Sequence, residues 1–225
     1  MSYLKQYHQN QSQSAASLSG YYINQADKRW QAQGQKNRHA YLLQRVLNLA
    51  NITLDEKRDV MEIGGGDGTF LTLEDDHLVK TLVDIDNYFE GPLTERGIRF
   101  AKCDLSSSEP HIFKENEFDL IAMNHLIEHI WHIETLMAQI KNMLKTGGYI
   151  YIRTPDIEKV GMKFFNDYTH VRPFSKAGLK HLFSVHGFAL VHMQNTNNRF
   201  LQLADYPGIN FQNYGKEIEA LFKAV

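Results

Sequence analysis

The sequence predicts an α/β fold in which a doubly wound parallel sheet is covered by helices. Short apolar runs that fit buried strands alternate with stretches whose apolar residues recur every three or four positions. The first run, residues 60–63, leads directly into four glycines between positions 64 and 68, as expected for a tight turn at the end of a strand. With 225 residues, the chain has the length of one such domain with an appendage.

The later strands and helices are predicted from the same two patterns. Strands are expected at residues 81–86, 98–103, 117–124, 149–155 and 188–193. Helices are expected at 126–144 and 176–187, with a shorter one between 69 and 80. Beyond residue 195 the pattern weakens: residues 199–204 fit either a strand or a helix, and the tail from Phe211 is predicted to be helical.

Three regions are predicted along the chain. Residues 1–20 are rich in Gln and Ser and are expected to form a disordered polar tail. Residues 21–50 combine aromatic and basic residues with apolar positions at helical spacing, which predicts a helical segment. Whether that segment is a flank of the domain or a lid over its site is left open. Residues 51–225 are expected to form the domain that contains the sheet.

Composition narrows the range of functions. A hydrophobic content of 43% and a charged content of 22% are ordinary for a globular protein. The net charge of -2 gives no electrostatic basis for binding nucleic acid or an anionic membrane. The single cysteine, Cys103, excludes an intrachain disulfide. No apolar run has the length of a membrane span or a signal-peptide core, so we expect a cytoplasmic protein with a small-molecule or carrier-linked substrate.

The spacing of the glycines limits which ligand the turn could hold. Gly64, Gly66 and Gly68 alternate, so the backbone can adopt positive φ and a ligand can approach closely. A dinucleotide fingerprint counted from Gly64 needs a third glycine at position 69, which is Thr69, so an NAD-dependent oxidoreductase is disfavoured. The G-K-[ST] ending of a phosphate-binding loop is also missing. The acidic Glu62 instead suits a ligand that carries an ammonium group.

The segment Glu62-x-Gly64-x-Gly66-x-Gly68 resembles motif I of the class I S-adenosylmethionine (SAM) methyltransferases. Residues 126–130 resemble the family's L-x-E-H-V signature, and residues 144–156 resemble its L-K-P-G-G…T-P-N run, with Thr146 and Asp156 as departures. The resemblance implies a Rossmann-like, mostly parallel sheet of seven strands whose last strand is antiparallel. It also implies methyltransferase activity with SAM as the cofactor.

The resemblance extends to individual cofactor-binding residues. Asp84 lies 22 positions after Glu62, near the spacing at which an acid accepts both ribose hydroxyls, with Asp86 as the alternative. Either acid could instead cap a helix. In this family an acid at the position of Asp104 accepts a hydrogen bond from the adenine amino group, and the next residue packs on the ring. The residues assigned to the cofactor are Glu62, Gly64, Gly65, Gly66, Gly68, Asp84, Ile85, Asp104, Leu105 and Asn124.

Candidate catalytic residues follow strands four and five. His125, His129 and His132 are predicted to share a helix at a spacing that also suits metal ligands. We predict no metal site, because no convergent set of carboxylates accompanies them. His129 matches a histidine that the family carries, and its role is either a general base or a helix histidine bonded to backbone.

The loop at residues 164–174 is the second candidate. It resembles the D-x-T-H-V-R-P-[FY] stretch of methyltransferases associated with bacterial polysaccharide and sugar-nucleotide biosynthesis. Asp167 and His170 supply acid–base capacity, and Arg172 could hold an anion. The alternative is an ordered loop in which Thr169 and Arg172 bond to backbone. The predicted catalytic residues are therefore His129, His170 and Asp167.

The sequence thus predicts a SAM-dependent methyltransferase that acts on a small-molecule or carrier-linked acceptor. Methylation of oxygen is favoured, in sugar, polysaccharide or secondary-metabolite biosynthesis. The alternative is a catalytically inactive SAM-binding partner or sensor protein. Nucleic acid is disfavoured as a substrate, because strand four is followed by Asn124-His125-Leu126-Ile127 and not by an Asn-Pro-Pro-aromatic signature. The oligomeric state is left open, a homodimer included.

Overall fold

The computed structural model describes residues 33–107, 113–196 and 215–225, with the backbone alone at 33–40. The predicted disordered tail, the first part of the 21–50 segment and residues 199–204 lie outside the described residues. The described chain begins with helix α1, Gln33–Leu49, whose apolar residues pack on one face of the sheet. No helix in these ranges is long and apolar enough to cross a membrane.

The described strands form one seven-stranded sheet in the order β3-β2-β1-β4-β5-β7-β6. Strand β7 runs antiparallel to β5 and β6, and the pairs among β1 to β5 are parallel. This confirms the predicted mostly parallel sheet with an antiparallel last strand. The strands are β1 Arg58–Ile63, β2 Leu78–Asp84, β3 Arg99–Lys102, β4 Phe118–Asn124, β5 Leu144–Pro155, β6 Phe188–Thr196 and β7 Glu217–Ala224.

Helices cover both faces of the sheet, so the core has two layers. Val60 packs with α1 on one face, whereas the next residue, Met61, packs with the helices of the other face. The α-helices after α1 are α2 Glu90–Thr94, α3 Ile133–Met143, α4 Ile157–Val160 and α5 Lys176–Val185. Short 3-10 turns lie at Thr69–Thr72, Ile127–His129 and Gly161–Asn166.

The strand order reverses beside β1, which pairs with β2 on one side and with β4 on the other. In open α/β sheets, ligands bind at the carboxyl ends of the strands that flank such a reversal. Here that point is the glycine turn after Ile63. The fold therefore brings the ends of β1, β2 and β4 to one edge.

The prediction of a helical tail from Phe211 is wrong for residues 217–224, which form β7. This strand lies between β5 and β6 and is buried from Ile218 to Phe222. Ile218, Leu221 and Phe222 fall at helical spacing between charged residues, so periodicity alone cannot distinguish this buried strand from a short amphipathic helix.

The helix predicted at 126–144 is also wrong over its first third. His125 has a φ of 51°, His129 ends a 3-10 turn, and His132 is the N-cap of α3. The three histidines therefore do not share a helix. The helix expected between 69 and 80 is only the turn Thr69–Thr72, and β2 already begins at Leu78.

Candidate active site

The turn after β1 brings bare backbone to the edge of the sheet. Gly64, Gly66 and Gly68 have φ values of 69°, 52° and 68°, a region that side chains strongly disfavour. The N–H of Gly64 donates to the carbonyl of Val83 at 2.7 Å, which ties the turn to β2. A Cβ added to Gly66 would meet nothing within 4 Å, so the space above this residue is open. The turn therefore has room for a ligand to contact its backbone.

Glu62 lies beneath this turn with only 3% of its surface exposed. Its Oε1 accepts a hydrogen bond from Asn124 Nδ2 at 2.9 Å, and its buried Oε2 has no hydrogen-bond partner among the described residues. Burial raises the pKa of Glu62 to about 8; the bond from Asn124 opposes the rise, while the carboxylates of Asp67 and Asp84 add to it. A positively charged donor placed beside Oε2 would remove the cost of ionising this group.

Asp84, the last residue of β2, fastens the glycine turn. Its carboxylate accepts hydrogen bonds from the backbone N–H of Gly66 at 3.2 Å and of Asp86 at 3.3 Å. Burial raises its pKa, partly against these two bonds. A carboxylate has about four acceptor positions, so these bonds leave capacity for a ligand. Ile85, the next residue, is partly buried, and the assignment of Asp84 rather than Asp86 to the ribose stays a prediction.

Asp104 and Leu105 follow β3 at the same edge. Asp104 Oδ1 accepts from the backbone N–H and the hydroxyl of Ser106, at 3.0 and 2.6 Å. In the described part of the chain, its buried Oδ2 has no hydrogen-bond partner, and the same holds for Asn124 Oδ1. Leu105 is buried in the core beneath. Three buried acceptor atoms, one each from Glu62, Asp104 and Asn124, therefore lack donors at this edge.

The predicted catalytic residues lie together beyond the ends of β4 and β5. His129 Nδ1 is 2.9 Å from Thr169 Oγ1 and 3.1 Å from the Thr169 carbonyl. Thr169 in turn donates from its hydroxyl and its backbone N–H to Asp167 Oδ1, at 2.6 and 2.9 Å. The ring centroids of His129 and His170 are 4.8 Å apart. His129, His170 and Asp167 thus form one cluster, which is called the histidine pair site below.

The loop that supplies this cluster is fastened to the preceding turn. The backbone N–H groups of Val171 and Arg172 both donate to the carbonyl of Glu128, at 2.9 and 3.0 Å. Arg172 Nη2 donates to the carbonyl of Trp131 at 3.3 Å. The backbone contacts expected of an ordered loop are therefore present at Thr169 and Arg172, alongside the side-chain cluster.

Sequence reasoning missed the ion pairs of His125. Its Nδ1 lies 3.4 Å from Glu128 Oε1, and its Nε2 lies 3.5 Å from Glu217 Oε1. Burial lowers the pKa of His125, but the two carboxylates outweigh burial and raise it to about 9. His125 is therefore an imidazolium at neutral pH. The L-x-E-H resemblance points to Glu128, but no local signal indicates a partner on β7.

Glu128, His129 and His170 each offer a ligand atom, and these atoms lie within 4.8 Å of one another. The distances alone would admit a cation. The carboxylate of Glu128 is fully buried, however, and is already engaged by the Thr154 hydroxyl at 3.0 Å and by the His125 imidazolium. Because its charge is balanced within the protein, we retain the prediction that the site works without a metal.

Comparison with known proteins agrees with this arrangement. A family model described as a methyltransferase domain matches residues 35–193. No curated protein is significantly similar to the chain in sequence.

Several solved structures share the fold. A Haloferax volcanii protein, solved in complex with the Trm112 methyltransferase activator, has a TM-score of 0.68 and 14% identity, over 92% of this chain and 96% of that one. A SAM-dependent methyltransferase from Clostridium acetobutylicum has a TM-score of 0.65 and 13% identity, over 91% and 98%. The [4+2]-cyclase SpnF has a TM-score of 0.62 and 15% identity, over 82% and 80%.

The sheet order, the antiparallel β7 and the glycine turn beside the acids of β1 and β2 define a Rossmann-like methyltransferase of class I, the class whose methyl donor is SAM. The chain belongs to the methyltransferase domain family.

Proposed function

We propose that the chain transfers a methyl group from SAM to a hydroxyl group of a small-molecule or carrier-linked acceptor. The observation that carries the cofactor half of this proposal concerns three acids at one sheet edge: among the described residues, Glu62 Oε2 and Asp104 Oδ2 are buried without donors, and Asp84 retains acceptor capacity. SAM offers three kinds of donor that match such a set: an ammonium, two ribose hydroxyls and an adenine amino group. The residues present therefore fit the cofactor.

Each donor has a natural recipient. Glu62 Oε2, beneath the open backbone of Gly66, takes the ammonium end. Asp84 retains acceptor positions for the ribose hydroxyls, and Asp104 Oδ2 takes the adenine amino group. The sulfonium of SAM supplies an activated methyl group, so the protein has mainly to align the acceptor and exclude water.

The histidine pair site supports a hydroxyl acceptor. A hydroxyl must lose its proton as the new bond forms, and imidazole is the side chain best suited to accept it near neutral pH. His129 and His170 each engage Nδ1 within the protein, so a proton from the acceptor would go to Nε2 of one of the two rings. Phe165 and Tyr168 expose 51% and 60% of their surface on the same loop and offer flat apolar area for a sugar ring. We place the acceptor among sugar or polysaccharide precursors and related secondary metabolites.

A second candidate function is a SAM-binding partner or sensor without turnover. The likeness to a protein named as a cyclase indicates that the fold also serves other activities. The Haloferax volcanii neighbour was solved in complex with an activator protein. Proteins of this fold therefore form complexes in which one subunit could serve as a partner without turnover.

Calorimetric titration with SAM, S-adenosylhomocysteine (SAH) and NAD tests the cofactor half. We expect binding of SAM and SAH but not of NAD, and an affinity at least about tenfold lower in Asp84→Ala, which loses charged hydrogen bonds. Asp86→Ala is the matched control and should bind SAH as the wild type does. Transfer of a labelled methyl group to a panel of sugar nucleotides then tests the acceptor half. Binding of SAM without transfer to any hydroxyl acceptor would favour the second candidate.

A further inference from the structure

We infer that Thr169 is a positioning residue that links the carboxylate of Asp167 to the imidazole of His129 and presents His129 Nε2 as the base for the acceptor hydroxyl. This inference rests on the proposed function, which leaves open which histidine accepts the proton and what holds it in the required form.

The hydrogen bonds of Thr169 have only one arrangement that satisfies every atom. The carboxylate of Asp167 can only accept, so the Thr169 hydroxyl, 2.6 Å away, gives its single hydrogen to Oδ1. The hydroxyl oxygen then faces His129 Nδ1, 2.9 Å away, as an acceptor. The Thr169 carbonyl, 3.1 Å from the same nitrogen, can also only accept. His129 must therefore carry its hydrogen on Nδ1, and in the neutral ring Nε2 carries the lone pair.

Asp167 is ionised in this arrangement. Burial acts to raise its pKa, but the two hydrogen bonds from Thr169, together with the nearby His170 and His129, outweigh burial and lower it. The carboxylate is half-exposed and contributes a negative charge at the far end of the chain Asp167–Thr169–His129. That charge lies behind the Thr169 hydroxyl, on the side of the His129 ring where Nδ1 carries its hydrogen.

The transfer step is balanced with these groups. The acceptor O–H proton moves to His129 Nε2, and the freed oxygen electron pair forms the bond to the methyl carbon. The carbon–sulfur bond breaks with its electrons left on sulfur, which gives neutral SAH, and the imidazolium later returns its proton to solvent. Thr169 touches neither substrate and acts only through His129.

His170 is arranged differently. Its Nδ1 donates to the carbonyl of Phe164 at 2.8 Å, and its ring packs 4.5 Å from the Phe164 ring. The Asp167 carboxylate lies 3.9 Å from His170 Nε2, on the side that a base needs to keep open. Among the described residues, the titratable groups that face His129 are Asp167, His170 and Glu128. Asp167 is the one joined to His129 through a hydroxyl.

Nuclear magnetic resonance of protein labelled with ¹⁵N-histidine tests the inference without an acceptor. Long-range ¹H–¹⁵N spectra distinguish Nδ1–H from Nε2–H, and the His129 signals are assigned by their loss in His129→Gln. In the neutral ring of the wild type, we expect hydrogen on Nδ1 and a bare Nε2. Thr169→Val keeps the shape and the carbonyl contact but removes the shorter of the two contacts to Nδ1, so the Nδ1–H signal should shift and the Nε2–H form should gain a measurable share. Thr169→Ser should restore the wild-type spectrum.

Asp167→Ala provides a second route if Thr169→Val does not fold, because its side chain is half-exposed and its loss breaks the same chain at the other end. A wild-type ring with hydrogen on Nε2 would overturn the inference, as would variants whose His129 spectra match the wild type. SAH titration of the same samples is read separately. A protein that fails to bind SAH refutes the proposed cofactor, whereas unchanged spectra with normal SAH binding refute only the role of Thr169.

Discussion

Asn124 donates from its side-chain amide to Glu62 Oε1 at 2.9 Å, which joins the ends of two adjacent strands, β4 and β1. The bond holds the Glu62 carboxyl group against the glycine turn, where a Cβ on Gly65 would lie 2.5 Å from it. One carboxyl oxygen is thereby fixed and the other is left for a ligand. Several predictions about the cofactor site depend on this pair.

Glu62 should release a proton when SAH binds. Its pKa of about 8 means that the group is mainly protonated at neutral pH, and an ammonium beside Oε2 would ionise it. Calorimetry at pH 7 in two buffers of different ionisation enthalpy should report up to about 0.9 proton released per SAH. Affinity should therefore rise with pH up to about 8. Glu62→Gln should release none of this proton, and equal release by that variant would contradict the assignment.

The raised pKa of Glu62 also determines how folding stability changes with pH. In the folded chain the pKa of Glu62 lies above its ordinary value of 4.5, so the folded state binds more protons than the unfolded state between pH 4.5 and about 8. The contribution of this group to the free energy of unfolding is fully present below pH 4.5 and is lost across that window. Urea titrations at several pH values in this window give the free energy of unfolding. It should fall more steeply with rising pH in the wild type than in Glu62→Gln.

Gly66→Ala should lose SAH affinity while its folding stability falls only modestly. A Cβ there has open space but a φ of 52°, so the expected loss of folding stability is about 1–2 kcal/mol. Gly97→Ala is the matched control, because Gly97 has a φ of 71°, equally open space and a position away from the site. Similar melting temperatures, with SAH affinity lost only in Gly66→Ala, would show that the space is used by the ligand. Unchanged affinity in Gly66→Ala would place the ligand elsewhere.

Glu219→Gln should strongly destabilise the fold. This fully buried carboxylate accepts from the Arg45 guanidinium, from the Tyr151 hydroxyl at 2.9 Å and from Gln194 at 2.7 Å. Loss of its charge removes the buried carboxylate that pairs with the Arg45 guanidinium and accepts from two further donors, at a cost of about 3–5 kcal/mol. Chemical denaturation measures the loss, with the exposed Glu158→Gln as the control.

Acid unfolding checks the same residue. Burial raises the pKa of Glu219, but the nearby His192 ring and the charge of Arg45 outweigh burial and lower it to about 2. The stabilisation is present above pH 4.5 and is lost as the pH falls towards about 2. Glu219→Gln should therefore lose less stability than the wild type across that interval, and parallel curves would refute the assignment.

Removal of metals should leave the protein unchanged. Glu128 is neutralised by His125 and bonded by Thr154, so the atoms offered with His129 and His170 do not form a net anionic site. Treatment with EDTA should alter neither SAH affinity nor methyl transfer. A stoichiometric transition metal in the purified protein, lost together with activity on chelation, would show that the histidine pair site is a metal centre.

The sequence was sufficient to predict the parts of the fold whose signals are local. The apolar runs of β1 and β4 and the glycines between 64 and 68 carry their conformations in their own composition. The alternation of strand and helix patterns likewise predicted the doubly wound, mostly parallel sheet.

Features that depend on distant partners were not predictable. His125 adopts a positive φ while its N–H donates to the Arg153 carbonyl at 2.8 Å and its ring pairs with Glu217, a residue of β7. The local sequence pattern predicts a helix that includes His125, because no residue near it indicates that the helix begins only at Ile133. Glu217 and Glu219 likewise make β7 look amphipathic, although both are paired with arginines from other elements.

The place of β7 in the sheet has a consequence for how the protein is made. Strand β7 lies between β5 and β6, and both of these strands are translated before it. Until residues 217–224 have left the ribosome, both strands present unpaired backbone groups that can join with other nascent chains. Completion of the sheet therefore waits for a segment far along the chain, and one edge of β5 stays unpaired until that segment has been made.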